Sequence, residues 1–350
     1  MSQECPVCLR VIGDGSSEIL QAHVEAHFAE NEDINGVVVD GGALFEEQTL
    51  RGGLADAAEE VTLKVMTKVF SAYRHGSGSG SGAGRRNPAG LRKVHLASEV
   101  DHYSTSSWGH GWDCGYKNLQ TMLSALFNSQ RVASALRQAG VHDVPPLPAL
   151  QHLIEQAWQM GFDVENARQM GSNLQGETTW IGACEVAAVL RSLGVRAGIV
   201  DFETPDRASR ESMVTWIYNY FAERCGAKAI IPGISSKLGK CGYCRGGTWK
   251  EMIPPLFLQY PGHSITVVGA EKYADGSKAI LILDVTKQAL FKLQHMLLTD
   301  CRLSVGSAGL LQPRFQIVYI GQNALYETAE EVEAAKLVIS EPAIVGTRRR

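Results

Sequence analysis

The sequence has no apolar run approaching the roughly 20 residues that a membrane-spanning helix requires, so we expect no membrane partner. It also has no excess of positive charge. The net charge of −4 provides no overall attraction for phosphate groups, and we expect no direct nucleic-acid binding. The first residues, Met-Ser-Gln-Glu-Cys-Pro, contain neither a basic nor an apolar stretch, so we expect no secretory signal. The eight cysteines are then expected in a reducing compartment, where metal binding and catalysis are commoner than disulfides.

The composition is that of a globular protein, with 45% hydrophobic and 20% charged residues among 350. This length accommodates one large domain and a small one. We divide the chain into a Cys/His unit at 1–30, a connector at 31–93, a main domain at 94–330 and a tail at 331–350. Within the connector, the spacing of apolar residues predicts an amphipathic helix over 56–73, and the Gly/Ser tract at 76–86 predicts a flexible linker.

The Cys/His unit has the spacing of a zinc finger. Cys5 and Cys8 form a C-x-x-C pair, and fourteen residues separate this pair from His23 and His27. Histidines four apart share one face of a helix, so the four side chains predict a tetrahedral, structural zinc site. The alternative is a set of free thiols and surface histidines. No cofactor is expected for catalysis.

The charge of this predicted finger bears on its partner. Residues 1–30 contain one basic residue, Arg10, and five acidic residues. A finger that binds DNA needs cations for the phosphates, so this one is not expected to bind DNA. The segments C-P-V-C and L-Q-A-H-V-E-A-H-F resemble the ubiquitin-binding zinc finger family, in which one helix face docks on an apolar patch of ubiquitin. A purely structural finger remains the alternative.

The main domain begins with helical periodicity and continues with strands. Leu119, Met122, Leu123 and Leu126 follow the spacing of one helix face after Cys114. Further helices are predicted at 147–160, 181–193 and 210–224. The strand-like runs are A-G-I-V-D-F, P-L-F-L-Q-Y, S-I-T-V-V-G-A, A-I-L-I-L-D and F-Q-I-V-Y-I. A cysteine-bearing helix packed on a mostly antiparallel sheet gives an α+β fold class.

Cys114 is a candidate nucleophile because of its position in G-H-G-W-D-C-G-Y-K-N-L-Q. The unpaired N–H groups and positive dipole end of a helix favour the thiolate over the thiol. Gly115 keeps the approach to the sulfur uncrowded. A lone cysteine is more often a small buried hydrophobic residue, but the polar, glycine-lined surroundings favour the catalytic interpretation.

A candidate base and its partner lie on a predicted hairpin. His263 stands at the start of one strand, Asp284 at the end of the next, and the turn A-D-G-S joins the two strands. The beginning of one strand and the end of its antiparallel neighbour meet at the same edge of a sheet. The carboxylate of Asp284 is therefore predicted to orient the His263 imidazole.

With these residues assembled, the main domain resembles the zinc-finger-containing ubiquitin peptidases, which are papain-like cysteine proteases related to the proteases of the ubiquitin-fold modifier. The matching segments are V-D-H-Y-S-T-S, G-W-D-C-G-Y-K-N-L-Q, G-F-D, L-Q-G-E-T-T-W-I-G-A-C-E, I-V-D-F, and G-H-S-I-T-V-V-G with L-I-L-D. The resemblance implies a papain-like protease domain in which Cys114 is the nucleophile, His263 the general base and Asp284 its orienting group.

The resemblance also implies a site for the substrate tail. Ubiquitin ends in Leu-Arg-Leu-Arg-Gly-Gly, and Trp180 matches the wall of a narrow channel for Gly-Gly. Asp163 and Glu185 match acidic positions that bind the tail's arginines, which the ubiquitin-fold modifier lacks. Without the family match, a core tryptophan and solvated acids are the simpler interpretation.

Two further features concern the surroundings of Cys114: the residue before it and the donors for the oxyanion. Asp113 stands where the family usually has glycine. A carboxylate that faced the sulfur would raise the pKa of the thiol, so we expect it to point away. The oxyanion is expected to be held by the backbone N–H of Cys114 and by a donor upstream, either His110 or Tyr103.

The expected function is that of a deubiquitinating cysteine protease that prefers polyubiquitin chains of the non-degradative, DNA-repair type. Ubiquitin chains are the expected partners, and the nucleus and cytoplasm the expected location. The alternatives are a protease for another ubiquitin-like modifier and a catalytically inactive ubiquitin-binding adaptor. Leu50-Arg51-Gly52-Gly53 matches the last four residues of ubiquitin, and the alternatives to a pseudo-substrate are a chance match and a turn between helices, which are favoured. Cys241 and Cys244 form half of a zinc site without a second pair, which favours a loop insertion with free thiols.

Overall fold

The computed structural model describes residues 90–105, 111–225, 252–286 and 301–343, together with two short strands near the N-terminus. The chain forms two compact units, Met1–Ala55 and Asp56–Arg350. Several features predicted from the sequence lie outside the described residues. They are the zinc ligands Cys5, Cys8, His23 and His27, the segment 50–53, the helix 56–73, the linker 76–86, His110, Cys241 and Cys244.

In the first unit, strands β1 (Gln3–Glu4) and β2 (Val11–Ile12) pair antiparallel, with Gln3 opposite Ile12. Residues 5–10 form the connection between these strands, and this connection contains both cysteines of the C-x-x-C pair.

The described part of the second unit contains helices and strands in a mixed order. Its helices are α1 (Cys114–Phe127), α2 (Gln130–Gln138), α3 (Leu147–Gln159), α4 (Val164–Gln169), α5 (Ala183–Ser192), α6 (Arg207–Cys225) and α7 (Ala329–Ala334), with a 3₁₀ turn at Ala308–Leu310. Its strands are β3 (Leu91–Leu96), β4 (Val195–Glu203), β5 (Leu256–Tyr260), β6 (His263–Tyr273), β7 (Lys278–Leu283), β8 (Arg302–Ser304), β9 (Arg314–Leu325) and β10 (Ser340–Pro342). No described helix is both long and apolar enough to cross a bilayer.

These eight strands form one sheet in the order β10-β4-β9-β5-β6-β7-β8, with β3 paired to β6 beyond the end of β5. All pairs are antiparallel except β10 with β4. The predicted α+β class with a mostly antiparallel sheet is therefore confirmed. The strands of the sheet extend beyond the residue range 94–330 predicted for the main domain, since β3 begins at Leu91 and β10 ends at Pro342.

Helices cover both faces of the sheet. Along β5, Leu256 and Leu258 belong to the hydrophobic cluster that contains the apolar side chains of α6. Phe257, between them, belongs to the cluster formed with α1, α2, α3 and α5. This alternation is expected for a strand whose successive side chains point to opposite faces. It places α1, and with it Cys114, on one face of the sheet beside the start of β6.

Helix α1 is buried on all sides, although its sequence predicts an amphipathic helix. The predicted apolar face, Leu119, Met122, Leu123 and Leu126, is fully buried, and so are polar residues between them such as Asn118 and Gln120. A buried amide is costly unless it is hydrogen-bonded, so these polar groups form specific contacts with neighbouring elements. The contacts of Asn118 lie next to the site described below.

Candidate active site

Cys114 is the first residue of α1 and follows Asp113 at the N-cap position. The chain approaches through Gly111, whose φ of 99° favours glycine. Gly115 is required by packing, because a Cβ at this position would lie 2.4 Å from the carbonyl oxygen of Ile181. The segment before α5 thus runs directly against the N-terminus of α1, beside the thiol.

His263 and Asp284 meet at one edge of the sheet, as a hairpin requires. His263 begins β6, and Asp284 follows directly after β7, whose last residue Leu283 pairs with Thr266. The His263 Nε2 atom lies 3.3 Å from Asp284 Oδ1, at the long end of hydrogen-bond distances. Both side chains are largely buried, with 20% and 16% of their surface exposed.

Asp284 is held as a carboxylate by several donors. Its Oδ1 atom accepts hydrogen bonds from Thr286 N at 3.0 Å and from Thr286 Oγ1 at 2.8 Å, besides the one from His263. Burial alone would raise the pKa of Asp284, but the hydrogen bonds and the charge of His263 outweigh it and hold the pKa well below its usual range. The site therefore contains a fixed negative charge at neutral pH.

The imidazole of His263 links this carboxylate to the sulfur. Burial lowers the pKa of His263, but hydrogen bonds with Asp284 and with Cys114 outweigh this effect and raise the pKa to about 9. For the Cys114 thiol, burial acts in the other direction and raises the pKa. Hydrogen bonds and charge from His263, with hydrogen bonds from Ser264, reverse that effect, so the pKa of the thiol is lowered. Since Nε2 faces Asp284, Nδ1 is the ring nitrogen available to the sulfur. At neutral pH these shifts favour a thiolate–imidazolium pair.

A cleft of about 240 Å³ opens at the thiol. Cys114 and His263 line it together with Trp180, Gly182 and Glu185. Trp180 is 38% exposed, so part of this large apolar side chain is accessible in the cleft. The cleft thus brings the Cys114 thiol, an aromatic side chain and an acidic side chain together.

Of the two predicted acidic residues, Glu185 lines this cleft and Asp163 does not appear among the described lining residues. Glu185 accepts a hydrogen bond from Gly182 N at 2.6 Å and another from Asn166 Nδ2. Asp163 lies close enough to Glu185 to be affected by its charge. Burial, and then the charge of Glu185, raise the pKa of Asp163 to about 6. Their roles in tail binding remain predictions.

The oxyanion donor also remains a prediction. Tyr103 is buried, and its backbone N–H lies 3.4 Å from Thr121 Oγ1, but Tyr103 is not among the described residues that line the cleft. His110 lies outside the described residues. Asp113 is buried and accepts a hydrogen bond from Thr105 Oγ1 at 2.8 Å. That its carboxyl group points away from the sulfur stays a prediction.

Sequence reasoning missed three polar residues around the site. Ser264 follows the predicted base and bonds to the Cys114 sulfur. Asn118 lies one helical turn after Cys114 and bonds to β6. Gln259 accepts a hydrogen bond from Ala183 N at 2.6 Å and so holds the start of α5 beside the cleft. Only the position of Asn118, four residues after the thiol, gave a signal in the sequence.

The segment that contains these site residues is similar to known peptidases. The model of Peptidase family C78 matches residues 90–304. Zinc finger-containing ubiquitin peptidase 1 of Homo sapiens is 34% identical over 262 residues, which cover 72% of this chain and 41% of that protein. Ubiquitin carboxyl-terminal hydrolase mug105 of Schizosaccharomyces pombe (strain 972 / ATCC 24843) is 24% identical over 249 residues, which cover 69% of this chain and 89% of that protein.

The mouse protein (Mus musculus) of the same name as the human one is 35% identical over 240 residues, which cover 66% of this chain and 38% of that protein. The chain therefore spans about two fifths of the length of these two mammalian relatives. The crystal structure of UfSP from C.elegans superimposes with a TM-score of 0.42 at 14% identity, covering 67% of this chain and 35% of that one, and this similarity carries no conclusion.

The family model covers well over half of the chain and includes Cys114, His263 and Asp284. The resemblance drawn from the sequence motifs is thereby confirmed, and the chain belongs to peptidase family C78.

Proposed function

We propose that this chain is a cysteine-type deubiquitinase, which cleaves the isopeptide bond after the C-terminal Gly-Gly of ubiquitin. The observation that carries the proposal is that His263 contacts both Cys114 and Asp284, beside a cleft that Cys114, His263, Trp180 and Glu185 line. Membership of a peptidase family supports the reaction class. The names of the human and fission-yeast relatives support ubiquitin as the modifier.

In this mechanism the Cys114 thiolate attacks the carbonyl carbon of the terminal glycine, and its N–H at the start of α1 stabilises the oxyanion. As the C–N bond breaks, imidazolium His263 gives its proton to the leaving lysine amine, and a thioester remains on Cys114. Water then loses a proton to His263 while its oxygen attacks the thioester carbonyl. The acid and the Cys114 thiolate are released, and His263 is again an imidazolium. Asp284 keeps the ring oriented and stabilises its positive charge throughout.

The cleft suits the proposed substrate tail. We expect the two glycines to lie beside Trp180 and an arginine of the tail to reach Glu185, since both residues line the cleft. A charge-assisted bond of this kind contributes about 1.5–3 kcal/mol when it is shielded from water. Asp163, beside Glu185, adds negative charge to the same region at neutral pH. These features favour ubiquitin over a modifier whose tail lacks arginines.

The test uses C-terminal electrophilic probes of ubiquitin and of other ubiquitin-like modifiers, each incubated with the full chain and with Cys114→Ala. The ubiquitin probe should label wild type and leave Cys114→Ala unlabelled, and a fluorogenic ubiquitin substrate should be turned over by wild type alone. Labelling by another modifier's probe instead would identify a protease for that modifier. Ubiquitin binding without labelling or turnover would identify an inactive adaptor.

We further propose that the N-terminal unit is a zinc finger that binds a second ubiquitin, held together by Cys5, Cys8, His23 and His27. The β1–β2 pairing is consistent with this, because the two strands flank the C-x-x-C pair in the sequence, and the Cys/His spacing is that of a zinc finger. Cys5→Ser with Cys8→Ser in the full chain should then remove one equivalent of bound zinc. It should slow the cleavage of polyubiquitin more than that of a monoubiquitin substrate.

Chain preference and location are proposed from the family resemblance. We expect cleavage of non-degradative, DNA-repair-type polyubiquitin and a distribution over nucleus and cytoplasm. A panel of all ubiquitin linkages tests the first expectation, and imaging of the tagged full chain before and after DNA damage tests the second. Equal rates on all linkages, or exclusion from the nucleus under both conditions, would overturn the corresponding expectation.

A further inference from the structure

One buried amide joins the helix that carries the thiol to the strand that carries the base. Asn118 lies one turn after Cys114 in α1 and is 1% exposed. Its Nδ2 group donates to the carbonyl oxygen of Cys114 at 2.8 Å. The same group is 2.8 Å from the carbonyl oxygen of Ser264 and 3.0 Å from its hydroxyl oxygen. Asn118 thus touches the residue of the nucleophile and the neighbour of the base at once.

The other end of the amide is equally engaged. Asn118 Oδ1 accepts a hydrogen bond from Thr266 Oγ1 at 2.7 Å. On the β7 side of β6, strand pairing begins only at Thr266, opposite Leu283. The Nδ2 group of Asn118 supplies the donor for the carbonyl of Ser264, two residues before that first strand pair. An amide with both ends satisfied in a buried site has one preferred orientation and holds its partners in register.

We propose that Asn118 is a positioning residue, which fixes the first turn of α1 against the start of β6 and thereby sets the separation of the Cys114 sulfur and the His263 ring. The inference rests on the proposed function in one respect, that Cys114 is the nucleophile. It assigns to Asn118 a role in the reactivity of the thiol, in addition to the stability that any buried hydrogen bond provides.

The hydrogen bond from Asn118 also affects the hydroxyl group of Ser264. The Nδ2 group has two hydrogens for three acceptors, so one hydrogen is shared between the carbonyl and hydroxyl oxygens of Ser264. Since the hydroxyl oxygen accepts this shared bond, its own proton can turn to the Cys114 sulfur, with which Ser264 is hydrogen-bonded. Asn118 therefore orients a second donor toward the thiolate, beside His263. Loss of the Asn118 amide leaves the hydroxyl free to rotate away, and the thiolate loses part of its stabilisation.

The experiment measures the pH dependence of Cys114 alkylation by iodoacetamide in the full chain, with modification at Cys114 quantified by peptide mass spectrometry. Asn118→Leu and Ser264→Ala should each move the midpoint upward by about one pH unit, so that alkylation well below the midpoint slows about tenfold. The double variant should show little more than either single change, because both remove the same interaction.

Gln120→Leu is the matched control. Gln120 is an equally buried amide in the same helix, but its Nε2 donates to the carbonyl of Pro145 at 2.9 Å, on the side of α3. It should lose thermal stability comparably and keep the wild-type midpoint. A merely structural Asn118 would behave like Gln120, so a folded Asn118→Leu variant with an unshifted midpoint overturns the proposal.

A second variant, Asn118→Asp, keeps the test valid if Asn118→Leu does not fold. Asn118→Asp preserves size and the acceptor for Thr266 while removing the donors, so it should also raise the midpoint. If neither Asn118 variant folds, an unshifted midpoint in Ser264→Ala overturns the proposal. The alkylation assay requires no ubiquitin. A shifted midpoint in a chain that never cleaves ubiquitin would refute the proposed function alone. With ubiquitin substrates, Asn118→Leu should lower kcat and leave KM unchanged.

Discussion

Replacing Asp284 with asparagine removes one negative charge from the site while preserving the size and planar shape of the side chain. The carboxylate is the partner of His263 Nε2 at 3.3 Å, and it raises the pKa of the imidazole through a hydrogen bond and through its charge. An asparagine carbonyl still accepts a hydrogen bond from the ring but provides no compensating charge. The variant is therefore expected to fold normally and to hold the imidazolium less strongly.

The size of the effect follows from the pKa of His263, which is about 9 against an ordinary value of 6.5. A difference of one in pKa corresponds to about 1.4 kcal/mol, so the favourable interactions exceed the burial cost by about 3 kcal/mol. Asp284 and Cys114 provide these interactions together. If Asp284 supplies about half of this excess, its loss should lower kcat/KM about tenfold and lower the pKa of His263 by about 1.

The assay is the pH profile of kcat/KM on a fluorogenic ubiquitin substrate. In the wild type, activity should fall as the pH rises through about 9, where His263 loses its proton. In Asp284→Asn this alkaline limb should move to lower pH. Asp275→Asn is the matched control, because Asp275 also bonds the N–H and hydroxyl of the residue two positions on, at the opposite end of the same hairpin. An Asp284→Asn profile that coincides with that of Asp275→Asn would refute the reasoning.

The remaining predictions concern the cleft, the packing and the pH dependence of stability. Glu185→Gln should raise KM for ubiquitin substrates about tenfold with little change in kcat, since it removes a charge-assisted bond; steady-state kinetics check this, and an unchanged KM contradicts it. Gly115→Ala should lower the melting temperature and the activity together, because its Cβ would lie 2.4 Å from the Ile181 carbonyl. Calorimetry that shows a wild-type melting temperature would count against this packing. Buried His95 has a pKa of about 4, because burial and the charge of Lys93 disfavour its protonation. As the pH falls, His95 takes up a proton in the unfolded chain before it does so in the folded one. The free energy of unfolding should therefore fall by up to about 3 kcal/mol as the pH drops from 6.5 to 4. In urea titrations, His95→Gln should reduce this dependence on pH.

Much of the fold and part of the site were predictable because they depend on short-range pattern. The period of Leu119, Met122, Leu123 and Leu126 predicted α1 because a helix face repeats every three to four residues. The β6–β7 hairpin was predictable because a turn of four residues determines which ends of two strands meet. The proximity of His263 and Asp284 follows from that hairpin alone.

Other features depend on elements that are distant in the sequence. An amphipathic pattern gave no sign that α1 is buried on every side, since the polar residues are satisfied by partners such as Ser264, 146 positions away from Asn118. Trp180 and Glu185 reach the cleft because Gly115 allows the segment before α5 to touch α1. The placement of Asp163 relative to Glu185 depends in the same way on how α4 packs beside α5.

The sequence by itself thus determined helix α1 with a cysteine at its N-terminus, and the β6–β7 hairpin with its His–Asp pair, because each follows from spacing within a short stretch. Only the tertiary structure decided which residues surround the sulfur and which acid lines the cleft. These contacts join helix to strand across a buried interface, where packing and the satisfaction of buried polar groups, rather than local periodicity, select the partners.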